Sequence, residues 1–78
     1  RATVRVIVPD QSGELKKILA IFEGLKVNIN EINHERSSSN VEVGKTLVTI
    51  RMNLQDKNQL NTIVNMLHEH GMYCEVVS

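Results

Sequence analysis

Aromatic residues are scarce. The chain holds one tyrosine, Tyr73, one phenylalanine, Phe22, and no tryptophan. A sheet that reads RNA needs aromatics on its central strands to stack bases, and the outward middle-strand positions here are Arg5, Ile7, Thr49 and Arg51. Net charge is lacking as well. Nine basic and nine acidic residues cancel, which argues against a nucleic-acid or anionic-membrane partner. No apolar run approaches the roughly 18 residues of a bilayer span, and the sequence reads without a secretory leader. With one cysteine, Cys74, no internal disulfide forms. Cys74 falls in an alternating apolar segment and reads as a buried, reduced thiol of a cytoplasmic protein.

Catalytic sets are missing too. There is no Ser-His-Asp arrangement and no paired-cysteine metal motif. His68-Glu69-His70 fails as a metal motif, because rings two residues apart on a helix diverge by roughly 200°. It reads as a solvated helix end. Gly44-Lys45-Thr46 lacks the earlier glycine of a phosphate loop, since position 39 is Ser. We therefore expect no metal, no cofactor and no catalysis from this chain alone.

What remains is regular. Seventy-eight residues make one domain. A domain of that size buries roughly 60% of its unfolded surface, so association would help it. The sequence opens at Arg1, not Met, and is expected to be a piece of a larger protein.

Residues 2–8 alternate, with Ala2, Val4, Val6 and Val8 on one face and Thr3, Arg5 and Ile7 on the other. That is a strand, ended by Pro9. Over 12–25 the period changes, and Leu15, Ile18, Leu19, Phe22 and Leu25 form a helical stripe. Asp10 or Ser12 is expected to cap it, and Gly24 to end it. Residues 27–36 read as a strand whose phase slips, which predicts a bulge near Asn30-Glu31. Ser37-Ser38-Ser39-Asn40 reads as a hairpin loop. Residues 41–54 read as the longest strand, with a bulge or twist at Gly44. Residues 57–70 are helical through Leu60, Ile63, Val64 and Leu67, with Gly71 as the stop. A last strand covers 72–77, with Met72, Cys74 and Val76 on one face.

The order βαββαβ with right-handed crossovers predicts an α+β, ferredoxin-like sandwich: a four-stranded antiparallel sheet with both helices on one face. Val4, Val6, Ile50, Met52 and Val76 are expected beneath the helices. The opposite face carries Thr3, Arg5, Ile7, Leu47, Thr49, Tyr73 and Val77, a mixture that points to self-association.

The informative segment is Val8-Pro9-Asp10-Gln11-Ser12-Gly13-Glu14-Leu15. A strand there hands over to a helix through a glycine turn. Free backbone N–H groups at a helix start suit a carboxylate. Asp10, or a carbonyl near Asn28, can hold an ammonium, so the turn offers both charges an α-amino acid needs. It is equally the anatomy of an ordinary strand-to-helix turn.

Asp10-x-x-Gly13-x-Leu15, followed by Val27-Asn28-Ile29, resembles the signature of ACT domains, small regulatory βαββαβ modules that bind amino acids, usually at dimer interfaces. The resemblance spans essentially the whole chain. His34-Glu35-Arg36, followed by Val43-Gly44, is similar to the C-terminal ACT-like regulatory domain of pyridoxal-phosphate-dependent threonine dehydratases (threonine ammonia-lyases). The resemblance implies one ACT-like regulatory domain over residues 1–78, appended to a catalytic part that would hold the pyridoxal phosphate. By position, the implied ligand-side residues are Asp10, Gln11, Ser12, Gly13 and Leu15 in the turn, with Asn28 and Ile29 on the second strand. The implied ligand is isoleucine, valine or threonine, and the implied partner is a further copy, in a homodimer or higher homo-oligomer. His34 and Arg36, two residues apart on a strand, share a face. They read either as ligand or interface groups or as an exposed histidine and a surface arginine. ACT domains often carry Arg-Pro before the glycine; here Gln11-Ser12 stand there. That favours a second expectation, an assembly module that binds no metabolite.

Overall fold

Four strands and two helices follow in the order β1 (Ala2–Pro9), α1 (Glu14–Gly24), β2 (Asn28–Glu35), β3 (Lys45–Asn53), α2 (Lys57–Glu69) and β4 (Tyr73–Val76). The computed structural model describes residues 1–35 and 42–78. The expected Ser37–Asn40 loop, residue Val41 and the candidate Arg36 lie outside the described residues.

All pairings are antiparallel, in the sheet order β2-β3-β1-β4. The ferredoxin-like sandwich is therefore as expected. The alternation in β1 and β3 sets the faces. Val4, Val6 and Val8 pair with Ile50, Val48 and Thr46. The valines and Ile50 join Ile18 and Phe22 of α1 and Ile63 and Leu67 of α2 in one buried core, with Thr46 buried beside them as a polar side chain. The bulge sits between Ile29 and Glu31, where the phase of β2 slips. It keeps both Ile29 and Ile32 on the helix side, opposite Met52 and Ile50.

Several details differ from the sequence expectation. Gly13 occupies the N-cap position of α1, with φ 92°, so neither Asp10 nor Ser12 is the cap residue. Ile21 is buried, whereas Leu19 is exposed. The helix turns its Ile18–Phe22 edge to the sheet, and Leu19 lies one step off it. Gly24 does not take the left-handed position at the helix end. Lys26 does, at φ 57°. Its N–H donates to the Glu23 carbonyl and that of Val27 to the Phe22 carbonyl, the paired closure of a Schellman motif. α2 closes the same way with Gly71 in that position, donating to His68 while Met72 donates to Leu67. Gly44 belongs to a turn ahead of β3, not to the strand itself. Val76 shares the helix face by register but stays 46% exposed, because β4 is an edge strand and nothing lies beyond it in the sheet. On the open face Ile7 and Leu47 are half-buried, and the ion pairs Arg5–Glu75 and Arg51–Glu31 cross between strands.

Candidate functional site

The site begins where β1 runs out. Pro9 is the last strand residue, and the Asp10 N–H donates to the Gly44 carbonyl at 2.8 Å. Gln11 donates back to the Pro9 carbonyl at 2.9 Å, and Glu14 to the Gln11 carbonyl at 3.4 Å. The chain thus doubles back within a few residues, and only the left-handed backbone of Gly13 permits the step into α1. The backbone N–H groups of Gly13, Leu15 and Lys16 meet no backbone carbonyl among the described residues. They stand at the positive end of the helix dipole. Glu14 occupies the first helical turn and forms an ion pair with Lys17 at 3.0 Å.

This turn forms one wall of a cleft of about 530 Å³. The size lies within the usual range of small-molecule sites. Asp10, Gln11, Ser12, Gly13, Glu14 and Leu15 line that wall, with Val8 and Pro9 at its base. Val48 and Thr46 of β3 complete the lining below, and His34 of β2 closes the far side. His34 pairs with Val48 in register, so it projects on the helix side of the sheet. It is exposed, while Thr46 is 2% exposed and donates its hydroxyl to the Glu35 carbonyl at 2.8 Å.

The cleft therefore gathers every turn residue singled out from the sequence, together with His34. It does not gather Asn28 and Ile29. Asn28 pairs with Asn53, whereas the turn sits level with Lys45. Eight residues along β3 separate the two levels, about 26 Å at strand rise. Val8, Glu14, Thr46 and Val48 were not singled out as site residues. For Thr46 a signal was present: it is the one polar residue in the inward series Thr46, Val48, Ile50, Met52.

Elsewhere, Cys74 is buried as a free thiol. Burial pushes its pKa up, and the neighbouring Glu75 carboxylate adds to the rise. Among the described residues no group of acidic, histidine or cysteine side chains could hold a metal ion. No helix among them is long and apolar enough to cross a membrane.

No protein-family model and no curated protein sequence matches the chain. Solved structures do. The ACT domain from GTP pyrophosphokinase of Chlorobium tepidum superposes with a TM-score of 0.75 at 19% identity, over 97% of this chain and 95% of that one. This chain has the fold of an ACT domain. Prephenate dehydratase from Streptococcus mutans gives a TM-score of 0.77 at 16% identity, over 96% of this chain and 39% of that one. A formyltetrahydrofolate deformylase from Pseudomonas putida gives 0.70 at 10% identity, over 99% of this chain and 28% of that one. At such identities the shared property is the fold. The chain spans little more than a third of the dehydratase and just over a quarter of the deformylase.

Proposed function

We propose that this ACT-fold chain is a regulatory amino-acid-binding module, the C-terminal piece of a pyridoxal-phosphate-dependent threonine dehydratase, and that it catalyses nothing by itself. One observation supports the ligand reading above the others. The residues that open α1 and His34 line the same cleft, together with Val8, Thr46 and Val48. The amides suit a ligand carboxylate, Asp10 suits an ammonium, and the half-buried Leu15 suits an aliphatic side chain. Isoleucine, valine and threonine are the ligands proposed by family resemblance. The dehydratase assignment rests on His34-Glu35-Arg36 and Val43-Gly44.

A second copy belongs to the proposal. Asn28 and Ile29 lie too far from their own turn to touch a ligand there, so in this proposal a neighbouring chain supplies them. Antiparallel pairing of two β2 edges would do this, because it sets the Asn28 end of one strand beside the His34 end of the other. A ligand held between two chains favours one pairing geometry, and the attached catalytic part feels that shift. Couplings of this kind typically amount to about 1–3 kcal/mol.

The test is a thermal-shift panel of the proteinogenic amino acids. A ligand at 100 times its Kd stabilises the folded state by about 2.7 kcal/mol. Gln11-Ser12, in place of the more usual Arg-Pro, favours the alternative of a pure assembly module. If no amino acid raises the Tm, that alternative stands.

A further inference from the structure

We infer that Thr46 is a positioning residue, whose buried hydroxyl holds the end of β2, and with it His34, at the edge of the cleft. The inference rests on the cleft proposed above but concerns a residue which that reading does not need. The inward positions of β3 read Thr46, Val48, Ile50 and Met52, and three of the four are aliphatic or thioether side chains in the core. Packing alone would be met by valine at position 46. A buried hydroxyl without a partner costs free energy, so its bond matters. The hydroxyl does not bond within its own strand. It crosses to the main-chain carbonyl of Glu35, the residue directly after His34 and the last of β2.

β2 is an edge strand, held on one side only by β3. The ends of edge strands fray most easily. Among the described residues its ladder with β3 runs as far as the pair Glu35–Leu47, one step from Thr46. The Thr46 bond therefore adds a side-chain tie to the main-chain pairing at this end of β2. His34, opposite Val48, is carried by the backbone so tied and lines the same cleft as Thr46.

The experiment compares Thr46→Val and Thr46→Ser with the parent chain by NMR, with and without L-isoleucine, L-valine or L-threonine as probes. In Thr46→Val, amide exchange between Ile32 and Glu35 should quicken roughly tenfold relative to the β1–β3 amides, and the His34 ring signals should move. Binding of whichever probe binds the parent chain should weaken roughly threefold to tenfold, the worth of one hydrogen bond. Thr46→Ser should restore both. In a His34→Ala background, Thr46→Val should cost no further binding. Unchanged exchange at the end of β2, or an equal binding loss without His34, would overturn the inference. Should no amino acid bind the parent chain, the proposed function fails, while the exchange and His34 signals still decide the role of Thr46.

Discussion

Replacing Gly13 by aspartate tests the proposed site most directly. Two effects follow, and they can be separated. The first is backbone strain. Gly13 has φ 92°, a conformation that side chains resist, although a Cβ there would meet no atom within 4 Å. Left-handed backbone costs an L-residue about 1–2 kcal/mol, with Asp toward the lower end. For a domain of this length each kcal/mol moves Tm by about 4–8 °C, so the substitution should lower Tm by about 4–16 °C. The second effect is charge. An aspartate carboxylate at this position lies beside the amides that the ligand carboxylate would use. A ligand at 100 times its Kd should raise the Tm of the parent chain by about 11–22 °C. In Gly13→Asp that rise should vanish while circular dichroism stays native. Gly13→Ala carries the strain without the charge, so its Tm should fall similarly and part of the ligand-induced rise should persist. A full ligand-induced rise in Gly13→Asp would refute the turn as the binding site.

Further outcomes follow from the same geometry. Asn28→Ala should weaken amino-acid binding, although Asn28 is remote from its own turn; mixing Asn28→Ala chains with Gly13→Asp chains should regenerate one intact site per mixed pair, which calorimetry would detect as restored binding. Lys26→Gly should raise Tm by several degrees, since it relieves a left-handed lysine worth about 1 kcal/mol at the end of α1; an unchanged Tm would mean that the lost unfolded-state restriction offsets the relief. Cys74 has a folded pKa above its unfolded one, so the folded state holds its proton longer. Its contribution to stability is full below the unfolded thiol range, about 8–9, and is lost as pH rises through the folded value. The urea midpoint should thus fall above pH 9 in the parent chain and fall less in Cys74→Ala.

The elements were legible because their periods differ cleanly. Val4, Val6 and Val8 repeat every second residue, and Leu60, Ile63, Val64 and Leu67 repeat at helical spacing. The bulge in β2 was legible for the same reason, since an apolar phase cannot slip by one residue without an insertion. Positions at the margin of a stripe were not legible. Leu19 and Ile21 flank the inward direction of α1, and a small rotation of the helix decides which is buried. Helix ends also depend on backbone angles that residue type predicts only weakly. Gly24 looked the natural stop, yet the left-handed position fell to Lys26, where the Schellman closure brings Val27 back toward Phe22. Of the site, the turn was readable from Pro9, Gly13 and the change of period. Val48 was not, and Thr46 only as a polar residue out of place in an apolar series, because membership of the cleft depends on strand order.

Strand order also decides what the cleft can hold. The turn after β1 and the His34 end of β2 are neighbours only because β3 runs between their strands in the order β2-β3-β1. Two inter-strand steps separate the walls, about 10 Å. In the proposed reading that span would take a free amino acid with its carboxylate at the helix start. The same order places β2 at the sheet edge, so one wall of the cleft lies where a second chain can join the ladder. A ligand filling the cleft would then lie against the strand end that a neighbour would pair with. Occupancy and association would be coupled through that strand end. Each pair holds two such sites, so at saturating ligand sedimentation should show the dimer dissociation constant falling by the square of the factor by which affinity per site rises on dimerisation. A dimer dissociation constant that saturating ligand leaves unchanged would detach the cleft from the β2 edge.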